Sequence, residues 1–117
     1  MNDLLTTDEL PQGFVYPSAF IGVITAGVVD IGPWQFLEGK WLRVRNSGLR
    51  ERFPDRRLVP FARRLDSDDV ACWDMEQPSA VCVVHDFCAP GWEKRETYDS
   101  FLRWYSAAQA EADSYED

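Results

Sequence analysis

Histidine, cysteine and early basic residues are scarce in this chain, and each scarcity excludes a class of function. His85 is the only histidine, so a mechanism that needs two imidazoles, for proton relay or for a His-rich metal site, has no residues to draw on. Cys72, Cys82 and Cys88 are the only cysteines. An odd number outside any framework spacing argues against a disulfide-stapled secreted domain and for a reducing compartment. No apolar run reaches the roughly 18 residues of a membrane span, and the best window, Phe20 to Ile31, falls short. Asp3, Asp8 and Glu9 open the chain and no base precedes Lys40, the reverse of a secretory leader. A cytoplasmic location is the expectation. Neither a glycine-rich phosphate loop nor a nucleophile motif occurs.

What is present is material for a core. The 117 residues are 45% hydrophobic and 14% aromatic, with five tryptophans. That suits one folded domain, with a loose N-terminal arm over residues 1–13 and a short acidic tail over 113–117. The net charge of −8 is unevenly spread: five acids and no base up to Gly39, nine bases against two acids from Lys40 to Arg64, and thirteen acids against three bases beyond. Most of such a surface repels phosphate, so nucleic acid is not the expected partner and a basic protein is.

The chain is organised around Leu58 to Phe87. Three apolar runs of strand length, Leu58 to Arg64, Val70 to Trp73 and Ala80 to His85, are separated by turn-forming clusters and predict an antiparallel meander. Val70 and Cys72 alternate with Ala71 and Trp73, and Val81 and Val83 with Ala80, Cys82 and Val84. Both sets are apolar, which requires cover on both faces of the sheet. Upstream, Tyr16-Pro17-Ser18 can start a helix that Gly27 ends, burying Phe20, Ile21 and Ile24, although the β-branched content leaves a strand within Phe20 to Ile31 open. Gly32-Pro33 is a turn, and Trp34 to Leu37 is an edge strand or a core plug. Glu38 to Phe53 spaces Trp41, Val44, Leu49 and Phe53 as a helix, weakened by Gly48 and ended by Pro54, with its arginines exposed and pairing with acids elsewhere. Asp86 to Glu96 reads as a loop around Pro90-Gly91. Thr97 then caps a terminal helix whose stripe is Tyr98, Phe101, Leu102, Tyr105, Ala108 and Ala112. The fold class expected is α/β of the α+β type, a central antiparallel sheet flanked by helices.

Candidate chemistry is thin. Cys82, His85 and Cys88 with Cys72 make a Cys3His inventory, but an odd separation puts Cys82 and His85 on opposite faces of a strand, and core thiols beside an ordinary histidine fit better than zinc. Cys88 with His85 lacks the surroundings of a nucleophilic pair. Asp66-x-Asp68-Asp69 lacks the glycine and distal glutamate of a calcium loop, so no metal and no cofactor is expected. Trp34, Trp41 and Trp92 are expected to fill core. Three carboxylates within four positions nevertheless exceed what a turn requires.

Leu58-Val59-Pro60-Phe61-Ala62-Arg63-Arg64, then Asp66-x-Asp68-Asp69-x-Ala71-Cys72-Trp73, then Val81-x-Val83-Val84-His85-Asp86 resemble the SUKH superfamily. The likeness extends back to Arg52-Phe53-Pro54 and on through Pro90-Gly91-Trp92 to Asp99-Ser100-Phe101, about half the chain. Residues 1–32 depart from it, having Gly27 where a paired-glycine turn is usual. The resemblance implies a helix-flanked antiparallel sheet without catalytic residues. Many bacterial members are immunity proteins that bind and neutralise a cognate toxin, often a nuclease, and others are regulatory interaction domains. Charge and expected exposure, not a family motif, make Asp66, Asp68, Asp69, Glu93 and Glu96 the candidate contacts with a basic toxin surface. The alternative is a regulatory or scaffolding domain unrelated to toxins.

Overall fold

A computed structural model describes residues 3–87 and 94–115. Six strands, β1 (Asp30–Ile31), β2 (Trp34–Phe36), β3 (Leu58–Arg64), β4 (Asp69–Asp74), β5 (Gln77–His85) and β6 (Lys94–Tyr98), form one sheet in chain order. All neighbours are antiparallel. Helices α1 (Ser18–Thr25), α2 (Gly39–Arg52) and α3 (Phe101–Tyr115) flank it. The predicted meander is β3 to β5, at the middle of this sheet.

Alternation along the meander divides the core as expected. Ala71, Trp73, Val81 and Val83 join one buried cluster with Phe20 and Ile24 of α1 and Phe101, Trp104 and Ala108 of α3. Val70, Cys72, Cys82 and Val84 join a second with Leu49 and Phe53, at the end of α2. Pro60 sits inside an interior strand because the β3–β4 register slips between Pro60 and Ala62. Proline removes a ladder donor, and a bulge is where a sheet tolerates that. The slip puts Val59, Phe61 and Ala62 all in the first cluster.

The helix starting after Pro17 is confirmed, and Gly27, at φ +94°, follows it. Trp34 to Phe36 is a strand, not a plug. Three expectations are corrected. Lys94–Tyr98 pairs with β5, Tyr98 opposite Val81 and Glu96 opposite Val83, so the loop is shorter and Thr97 is a strand residue. The cap of α3 is Ser100, whose Oγ accepts from the Arg103 N–H at 3.2 Å. Charged residues on an edge strand guard it against pairing with other chains, and they also hide its apolar alternation from view. Within α3, Phe101 and Ala108 are buried as the stripe predicts, but Leu102 is 56% exposed and Trp104, outside the stripe, is buried. Lastly, Trp41 and Val44 of α2 are 70% and 54% exposed; its buried residues are Leu42 and Leu49.

The segment read as a loose arm is held in place. Leu5 is buried and its N–H meets the Tyr16 hydroxyl, while Arg43 binds Asp3, Glu9 and the Leu4 carbonyl. Burial pushes the Tyr16 hydroxyl up to about 12.

At the β1–β2 turn, Gly32 has φ +57°, and a Cβ added there would lie 2.8 Å from the Ala112 Cα of α3. Backbone cannot yield as a side chain can. Gly32→Ala is therefore expected to combine left-handed strain of about 1–2 kcal/mol with displacement of α3. Its midpoint in urea should fall by more than that of Gly13→Ala, which also has a positive φ, at +89°, but meets open space. Equal losses would mean that the contact with α3 contributes nothing.

Candidate functional site

Two surfaces meet at Asp86. The first is the β3–β4 turn, which carries the predicted acidic residues. Leu65 N–H donates to the Pro33 carbonyl at 2.7 Å, Asp69 N–H to Ser67 Oγ at 3.2 Å, and Asp86 N–H to the Asp68 carbonyl at 3.0 Å. The turn is thereby tied to the β1–β2 turn on one side and to the end of β5 on the other. Its three carboxylates are not equivalent. Asp66 accepts from Arg64, whose guanidinium also binds Glu111 and lies 5.4 Å from the centre of the Trp34 ring. That guanidinium holds the Asp66 carboxyl below its ordinary pKa. Asp69 turns inward, 3.0 Å from His85 Nδ1 with its side chain 15% exposed. Asp68 is exposed. Glu96 is exposed on β6, where it accepts from the Tyr98 hydroxyl at 2.8 Å. Burial, that bond and the charges of Glu96 and Glu111 push Tyr98 up to about 12. The structure thus leaves Asp66 and Asp68 exposed at the β3–β4 turn and Glu96 exposed in the middle of β6, opposite Val83, and withdraws Asp69. Glu93 lies outside the described residues, as do Trp92 and Cys88.

Asp86, which the sequence places at the start of a loop and in the residues of the SUKH resemblance but gives no role, is the one charged side chain with no solvent exposure among the described residues. Arg52 grips it through both carboxylate oxygens, and Arg45 Nη1 adds a third bond at 2.8 Å. Phe87 N–H donates to Oδ1 at 2.9 Å. Burial alone would raise the Asp86 carboxyl, but the bonds from Arg52 and Arg45 outweigh it, and its pKa lies below the ordinary value. Gly48 makes room for this. A Cβ there would collide with the Arg52 guanidinium, so the residue that weakens α2 by about 1 kcal/mol also lets Arg52 lie along the helix toward the sheet.

The second surface is a groove of about 950 Å³ between α2 and the sheet. Trp41, Val44 and Gly48 form the helix wall, Gln35 and Arg63 the sheet wall, and Phe87 one end. Arg63 Nε donates to the neutral Gln35 Oε1 at 3.0 Å. Arg52 stacks 4.0 Å from the centre of the Phe87 ring. Phe87 is 62% exposed and is the only described non-glycine residue with positive φ, at +66°.

Sequence reasoning missed Trp41 as a surface residue, although helix geometry contained the signal. At about 100° per residue, Leu42, Leu49 and Phe53 fall within about 40° of arc, and Trp41 lies about 80° or more from Leu49 and Phe53. Cys72 and Cys82 face each other across β4 and β5 in the second cluster. Burial pushes the Cys72 thiol well above its ordinary pKa, which disfavours the nucleophilic thiolate. No helix among the described residues is long and apolar enough to cross a membrane. No family model matches the chain, and no curated protein or solved structure matches it either.

Proposed function

We propose that this chain is a SUKH-type immunity protein, a non-enzymatic binder that neutralises a cognate bacterial toxin by covering a basic surface. The observation that carries the proposal is the bracing of the β3–β4 turn. Backbone bonds from Leu65 and Asp86, with Arg64 clamped between Asp66 and Glu111, hold carboxylates outward on a fixed frame. A preorganised acidic surface loses little conformational freedom on binding, and it steers a basic partner during encounter. Nuclease toxins bind phosphate and so present basic surfaces of this kind. The contacts in this reading are Asp66, Asp68 and Glu96, with Asp69 and His85 positioning the turn from below.

Co-expression with the product of the open reading frame beside its gene tests the proposal, scored by growth and by co-purification. The expected result is a neighbour that is toxic alone and harmless in a stable complex. The triple variant Asp66→Lys, Asp68→Lys, Glu96→Lys should then lose protection through an association rate lowered on the order of tenfold or more, and Asp68→Lys alone, which leaves the Arg64 clamp intact, should lower the rate in the same direction with its thermal midpoint little changed. A harmless or unbound neighbour would transfer the same surface to a regulatory interaction domain unrelated to toxins.

A further inference from the structure

The groove beside α2 is positive in a chain that is negative as a whole. Its lining includes five bases, Lys40, Arg43, Arg45, Arg52 and Arg63, against one acid, Glu51. Some of that charge is already used, because Arg43 is paired with Asp3 and Glu9, and Arg45 and Arg52 share Asp86. Lys40 and Arg63 have no acidic partner among the described residues; Lys40 lies 5.9 Å from the centre of the Trp41 ring and Arg63 bonds neutral Gln35. Two cations therefore stand at the groove with exposed apolar surface between and beside them, in Trp41, Val44 and Phe87. An exposed tryptophan beside unpaired cations is the composition of a protein-binding hot spot, not of a surface kept soluble. Phe87 adds an independent sign. A bulky side chain at positive φ is strained, and such strain gathers where a residue is presented for use.

We propose that this groove is a binding site for an acidic polypeptide segment with one apolar anchor, whose side chain lies against Trp41 and whose carboxylates meet Lys40 and Arg63. Two cations without an acidic partner among the described residues, beside Trp41, Val44 and Phe87, suit a segment with a few carboxylates and one apolar anchor better than a nucleic acid with a phosphate at every residue. The groove lining shares no residue with the proposed toxin contacts, so the assignment stands whether or not that turn meets a toxin.

Fluorescence-polarisation titration of the full chain tests this, with a labelled Asp/Glu-rich peptide carrying one leucine and its Asn/Gln counterpart as probes. The acidic peptide should bind more tightly, and its affinity should fall as salt is raised. Trp41→Ala and Lys40→Glu should each weaken binding roughly tenfold, whereas the triple lysine variant of the acidic turn should not weaken it. Circular dichroism checks each fold, and if Trp41→Ala does not fold, Lys40→Glu and Arg63→Gln decide. Equal binding of the neutral peptide, wild-type affinity in the folded groove variants, or displacement by a single-stranded oligonucleotide or inorganic phosphate at least as readily as by unlabelled peptide would each overturn the assignment.

Discussion

Asp86→Ala is expected to lower folding stability by about 3 kcal/mol, a large part of the 5–15 kcal/mol that holds a typical domain folded. The carboxylate has no solvent exposure, and removing it leaves the guanidiniums of Arg45 and Arg52 facing each other. Those arginines keep 19% and 28% of their side-chain surface exposed, so water relieves part of the repulsion, and the expectation is placed at the low end for a broken buried pair. The bonding predicts an order. Arg52 makes two bonds to Asp86 and Arg45 one, so Arg52→Met should cost more than Arg45→Met, and both less than Asp86→Ala. Urea midpoints of the three variants check the ranking. A loss in Asp86→Ala no larger than in Arg45→Met would mean that the carboxylate is not the hub.

The same residue sets a pH dependence whose sign is fixed by its environment. Its folded-state pKa is depressed, so its contribution is fully present above the unfolded carboxyl pKa of about 3.9 and is lost as pH falls through the lower folded value. Wild type should therefore weaken in acid faster than Asp86→Asn, and their midpoints should converge below about pH 4. A gap that stayed constant would assign the effect to shape and not to charge.

The sheet was readable because its information is local. Alternation within Val70 to Trp73 and Ala80 to His85 fixes which residues share a face, and the two buried clusters divide along it, whereas in Leu58 to Arg64 the bulge puts the adjacent Phe61 and Ala62 in one cluster. The β6 strand was not readable, since Lys94, Arg95 and Glu96 carry no apolar alternation and the strand exists through pairing with β5. Of the candidate contacts, exposure placed Asp66, Asp68 and Glu96 outward as expected, while the partner of Asp69 is His85, sixteen residues along the chain. Asp86 escaped for the same reason. Its arginines are 41 and 34 residues upstream; the wheel of α2 does put Arg45 and Arg52 on one side, within about 60° of Leu49, but nothing local names Asp86 as the carboxylate they share. Long-range pairing of charges leaves no periodic trace.

Trp73→Ala is the second change expected to be severe, at about 3–5 kcal/mol, or roughly a 10–20 °C fall in the thermal midpoint. Trp73 is fully buried on β4 at the centre of the first cluster. Its ring lies 4.3 Å from Phe61, 5.0 Å from Phe20, 5.5 Å from Phe14, 5.7 Å from Tyr16 and 6.3 Å from Phe101, centre to centre. It therefore joins α1, α3, the segment before α1 and the bulged strand β3, and a cavity there would loosen all four. The indole Nε1 is buried and has no hydrogen-bond partner among the described residues. An unpaired buried donor costs about 1–3 kcal/mol, so tryptophan is held here by its bulk against a polar penalty. Trp73→Phe removes that penalty while keeping a ring among the others, and its net loss should stay under about 1.5 kcal/mol. Differential scanning calorimetry of both variants separates the terms: a large gap between alanine and phenylalanine assigns the position to aromatic packing. If phenylalanine cost as much as alanine, the Nε1–H would have to hold a bond of its own, and the account of this core as driven by apolar volume would fail.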